Sequence, residues 1–118
     1  DLSGVDCGCS ASLYLTTMRR NTIMSACSDF YCDARSSCGV ECSELDIQRS
    51  DMHLWQSVAH VLGDPAGAGI WTTEGYGPKA SCVDTSKPFN VSAAFPVDAE
   101  GLLTGVAVSL SQEGGACS

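Results

Sequence analysis

The sequence predicts an all-β protein of antiparallel strands, arranged as two curved sheets packed face to face. Three observations predict it. Short segments alternate apolar and polar residues, and clusters of Gly, Pro, Ser and Asp separate them. Eight cysteines in 118 residues add the framework of disulfides expected of a small domain made in an oxidising compartment.

The elements follow in order. "SASLYLTTM" (10–18) alternates and sets Leu13 and Leu15 on one face. "SELDIQ" (43–48) puts Glu44 and Asp46 on one face and Leu45 and Ile47 on the other. "LWQSVAHVL" (54–62) mixes aromatic and β-branched residues and reads as a third strand, although Leu54, Val58 and Val61 also fit a helical face. "GDPAGAGIWTTEGYGP" (63–78) reads as a long turn-rich loop. "FNVSAAFPV" (89–97) places Phe89, Val91, Ala93 and Phe95 on one face. "LLTGVAVSLS" (102–111) supplies Leu102, Val106, Val108 and Leu110, with Gly105 marking a bulge. "QEGGACS" (112–118) is small and flexible apart from Cys117. No repeat or linker interrupts the chain, so residues 1–118 are expected to form a single domain.

Composition narrows the function. The formal charge is −8, from 14 acidic and six basic residues. Such a surface repels phosphate, so nucleic acid and anionic membranes are poor partners, and neutral polysaccharide or other protein fits better. Two histidines and no CxxC pairs at zinc-finger spacing argue against a structural metal, and no cofactor is expected. No run approaches the ~18 apolar residues of a transmembrane helix. The expectation is a secreted, extracellular, soluble domain whose signal peptide has been removed.

Three stretches carry a resemblance. "DCGCSASLYLTTM", "YCDARSSCGVECSELDIQ" and "YGPKASCVDTSKPFNVSAAF" are similar, in the same order, to "NCG…ALYF.SM", "YCDAQC…CCSEMDIWEAN" and "YGPGSSF.LDTTKK.TVVTQF" of glycoside hydrolase family 7, the cellobiohydrolases and endoglucanases that cut β-1,4-glucan. Together they touch more than half the chain, which is several times shorter than the family's catalytic cores. The resemblance implies a concanavalin-like β-jelly roll with a concave groove. It places Glu44 on the nucleophile, Asp46 on the carboxylate between nucleophile and acid, and His60 on a histidine near the reaction centre. The acid/base glutamate falls on Arg49, or on Gln48 if the strand runs without a bulge. Neither can protonate a leaving group, since the guanidinium stays charged and an amide has no acidic proton. Asp51 lies past the motif. The resemblance also implies a Cys32–Cys42 bond and an end-to-end Cys7–Cys117 bond, and leaves Cys9, Cys27, Cys38 and Cys82 open.

Each residue has a structural alternative. Glu44 and Asp46 can be vestigial strand residues, with Arg49 ion-paired to either. His60 reads more readily as a framework histidine than as a ligand. Trp55 and Trp71 suit stacking on sugar rings or filling a core. Asn90-Val91-Ser92 is a glycosylation sequon whose asparagine faces outward. The expectation is a non-catalytic structural module of an extracellular, glycan-associated assembly. It would associate with further copies of itself or with an extracellular protein, through edges or faces that so short a strand set leaves open. The alternatives are a lectin-like β-glucan binder and a minimal retaining β-1,4-glucanase using Glu44.

Overall fold

The structure, a computed structural model, describes the backbone of residues 1–6, 8–18, 22–61, 64–71 and 74–116, and their side chains except those of 64–68 and 71. It is all-β, with no helix among the described residues. The strands are β1 (Ala11–Thr16), β2 (Glu44–Ser50), β3 (Trp55–Val61), β4 (Asp64–Trp71), β5 (Tyr76–Gly77), β6 (Val83–Asp84), β7 (Asn90–Ala94) and β8 (Ala107–Ser111). One sheet has the order β1-β2-β3-β4, and β5-β6 and β7-β8 form separate two-stranded ribbons. The chain divides into two compact units, each discontinuous in sequence.

The first unit comprises Asp1–Ala11, Ser50–Trp55 and Trp71–Ser118. Its core is Leu2, Trp55, Tyr76 and Val83, with Val5, Ala11, Cys82, Phe89, Val108 and Leu110 packed against it. Trp55 is 2% exposed, so of the two roles the sequence leaves open, stacking on a sugar or filling a core, its ring takes the second. An indole at the start of β3 goes inward because it is the largest apolar surface available to a small core. The ring of Tyr76 meets Phe89 edge-on at 6.0 Å. Hydrogen bonds suspend the turn after β2 from this core: Tyr76 Oη donates to the Asp51 carbonyl at 3.0 Å and Thr85 Oγ1 to the Met52 carbonyl at 2.9 Å.

β7 and β8 pair antiparallel, Val91 opposite Leu110 and Ala93 opposite Val108. These four are half-buried, while Asn90, Ser92, Ser109 and Ser111 face water, as the alternation predicts. β7 is shorter than expected because Pro96 has no N–H for the ladder. Beyond it, Val97 bridges Leu103. Three steps lead from Ala94 to Val97 but four from Leu103 to Ala107, so the return strand carries one extra residue in the stretch holding Gly105, where the bulge is expected. The Asp98 carboxylate and Gly101, at φ 82°, close the tip.

Two expectations fail. The stretch 63–78 is not a loop: β4 and β5 occupy most of it, and small residues hide the strand because they carry no alternating pattern. β5 and β6 pair parallel rather than antiparallel. The five residues between them double back, with Lys79 at φ 63° and its N–H held by Asp84 Oδ1 at 2.9 Å.

The second unit, Ser12–Arg49 and Gln56–Ile70, holds most of the four-stranded sheet and a loop with two overlapping disulfides. Cys27 joins Cys38, and Cys32 joins Cys42. In the chain-entropy model, one loop of this size contributes about 3 kcal/mol. Cys82 is also disulfide-bonded, whereas Cys9 is free and exposed. Cys7 and Cys117 lie outside the described residues. These bonds suit an oxidising, extracellular environment, and no described helix is long and apolar enough to cross a membrane.

Two substitutions test the first unit. Trp55→Ala is expected to lower unfolding free energy by ~3–5 kcal/mol in a denaturant titration, because the vacated volume cannot refill. Gln112 accepts from the Asp84 N–H at 2.8 Å and donates to the Asp84 and Pro88 carbonyls at 2.9 and 3.0 Å. Gln112→Ala orphans those backbone groups and is expected to cost ~1–3 kcal/mol in the same measurement.

Candidate functional site

The second unit gathers its titratable side chains around β2. Alternation along this strand gives Glu44 and Asp46 a common face, and the Cys32–Cys42 bond draws residues 33–37 against them. Ala34 N–H donates to Glu44 Oε2 at 3.1 Å. Asp33 folds the same turn, accepting from the N–H groups of Arg35 at 3.0 Å and Ser37 at 2.9 Å. On β3, His60 Nε2 stands 3.7 Å from Asp46 Oδ2, an ion pair only while the imidazole is protonated. Ser57 Oγ donates to the Asp46 carbonyl at 2.9 Å, locking β3 to β2 beside the pair. The predicted residues Glu44, Asp46 and His60 are therefore brought together.

The acids titrate in opposite directions. Burial pushes the Glu44 carboxyl above the usual glutamate range, and the carboxylates of Asp46 and Asp33 push it further, against the lowering effect of the Ala34 N–H. Burial also acts upward on Asp33, but donors from Ser37, Tyr31 and Arg35 outweigh it and hold that carboxyl below its ordinary value. Tyr31 is pushed up, first by burial, then by its hydrogen bonds with Tyr14 and Asp33. Its hydroxyl lies 3.0 Å from that of Tyr14, so a polar chain runs from β1 through Tyr31 and Asp33 to Glu44. Beside Tyr31 lies an open groove of about 440 Å³ lined by Met18, Asp29, Phe30 and Tyr31.

Other expectations fare differently. Among the described residues, Arg49 forms an ion pair with neither Glu44 nor Asp46, the latter's ion-pair partner being His60. Asp51 Oδ1 closes the turn after β2, accepting from His53 and Leu54 N–H at 2.7 and 2.8 Å. Trp55 belongs to the core, and the Trp71 side chain lies outside the described residues. Asn90 is exposed on β7. Tyr31 and Asp33 were not singled out from the sequence. The signal was present, since a Cys32–Cys42 bond brings the neighbours of one cysteine to those of the other.

No family model matches this chain, and neither does any curated protein. The arrangement itself offers one half-buried carboxyl with raised proton affinity, flanked by acids tied into turns and strand contacts.

Because the folded-state pKa of Glu44 is raised, its contribution to stability is complete below the ordinary glutamate range and is lost as pH rises through the folded value. Glutamine keeps an acceptor for the Ala34 N–H and carries no charge. Glu44→Gln is therefore expected to melt above the wild type at neutral pH and to converge with it near pH ~3–4, where both forms are uncharged. Thermal unfolding across that range checks this, and a difference independent of pH would remove the linkage.

Proposed function

We infer that the chain is a non-catalytic, secreted structural module of an extracellular, glycan-associated assembly, built on a shortened β-jelly roll like that of glycoside hydrolase family 7. The observation that carries this reading is the surface of β1. That strand is one of the sheet's two edges, and Leu13, Tyr14 and Leu15 on it are 53%, 41% and 50% exposed, on both of its faces. Edge strands of proteins that remain single are blunted by charge, proline or a covering segment, and β1 has none of the first two. The disulfides suit the extracellular setting, and the exposed sequon at Asn90 suits attachment of glycan. A fibrous form follows if the contact repeats head to tail, and a closed one if it is two-fold.

One observation favours a second reading. The raised Glu44 beside the ionised Asp33 is the split in proton affinity that acid–base pairs use, which suits a minimal β-glucanase with Glu44 as proton donor. Reducing-end release from soluble cellulose derivatives separates the two. The structural reading expects no release above a Glu44→Gln control, since loss of a general acid typically costs ~10²–10⁴ in rate. Release abolished by that substitution would overturn it in favour of the glucanase.

A further inference from the structure

Resting on the structural reading above, we propose that β1 is the assembly contact, and that it pairs antiparallel with β1 of a second copy across a two-fold axis. The result is a closed dimer with one continuous eight-stranded sheet.

The sheet order leaves β1 and β4 as its two edges. They are chemically unequal. β4 opens on Asp64-Pro65, an acid followed by a residue without an N–H, and such residues discourage a further strand from pairing. β1 reads ASLYLT, with no charge, proline or glycine. One open edge and one blunted edge admit a single added strand, so growth stops at two copies.

The identity of the added strand follows from β1 itself. Directly opposite residues of an antiparallel pair share a face. A two-fold axis through Tyr14, perpendicular to the sheet, sets Leu13 opposite Leu15 of the other copy and Leu15 opposite its Leu13. Tyr14 then meets its own equivalent, and Ser12 meets Thr16. One face of the junction is thus a double leucine pair, the other a tyrosine pair, with small hydroxyl residues flanking. Both leucines stand half-exposed and ready for this contact. The pairing is self-complementary, which is what an isologous interface requires.

Charge selects the same occupant. Each copy carries −8, and approach of two copies is repulsive except where both present an uncharged segment. β1 is such a segment. A basic partner would find no carboxylate along it to pair with. Six residues per strand bury less than the ~800 Å² per partner of a standard interface, so the dimer is expected to be of moderate affinity and to tighten with salt.

Light scattering on the intact chain over micromolar concentrations, at low and high salt, tests this. The expected mass is twice 12.3 kDa, with the larger dimer fraction at high salt. Leu13→Lys with Leu15→Lys is expected to return the monomer, with thermal unfolding unchanged at concentrations where the wild type is also monomeric, as both side chains are solvent-facing in the single chain. Ile70→Lys on β4 should leave the dimer intact. In a Cys9→Ser background, Tyr14→Cys is expected to give on mild oxidation a covalent dimer that the Cys9→Ser parent does not give. A dimer that survives the double lysine change overturns the β1 contact while leaving assembly through another surface standing. Open-ended growth overturns the closure. A monomer under every condition overturns both this contact and the structural reading.

Discussion

The bond between Cys32 and Cys42 is the constraint on which the second unit depends. It fixes two segments separated by ten positions in sequence and thereby places the turn of residues 33–37 against the start of β2. Without it, Ala34 N–H would have no reason to meet Glu44, and Asp33 would lie too far away to raise that residue's proton affinity. The overlapping Cys27–Cys38 bond holds the preceding loop, where Asp29 caps the chain through Ser25 Oγ and the Tyr31 N–H. A loop whose large apolar side chains, Ile23, Met24 and Phe30, stay exposed is thus held covalently rather than by packing, as is usual where a core is small.

Much of the fold was legible in the sequence, and the exceptions share a cause. β7 and β8 could be read because their faces alternate, β2 because its sequence alternates although Asp46 is as buried as Ile47, and Gly105 because a residue without a side chain inside a strand pattern marks an irregularity. β4 could not be read because Ala and Gly give the two faces nothing to differ by. The burial of Trp55 was equally hidden. Whether an indole faces a core or a ligand is settled by Leu2, Tyr76 and Val83, which arrive from distant parts of the chain. Around the candidate site, Glu44, Asp46 and His60 were visible as a motif. Their electrostatic state was not, because it depends on Asp33 and Ala34 across a disulfide.

The acidic residues show how a chain of charge −8 tolerates its own repulsion. Asp29, Asp33 and Asp84 are all held below their ordinary range by donors of nearby turns. Each negative charge is therefore used to satisfy backbone N–H groups that would otherwise depend on water. Glu44 departs from this pattern: a single backbone donor reaches it, and burial and two carboxylates act against its ionisation.

That departure bears on what the scaffold can do. A nucleophilic carboxylate must be ionised, and Glu44 is pushed toward the neutral acid, with the cation of Arg49 paired to neither it nor Asp46. Read as a proton donor instead, Glu44 would need an ionised neighbour free to attack or to activate water. Asp33 is ionised, but its carboxylate already receives the Arg35 and Ser37 N–H groups and the Tyr31 hydroxyl. Asp46 is 7% exposed and faces His60. Each role in glycoside cleavage thus has a candidate whose surroundings oppose it. Chemistry at Glu44 and the assembly proposed at β1 make separate demands on the fold, and β1 brings to the second an exposed edge without charge or proline.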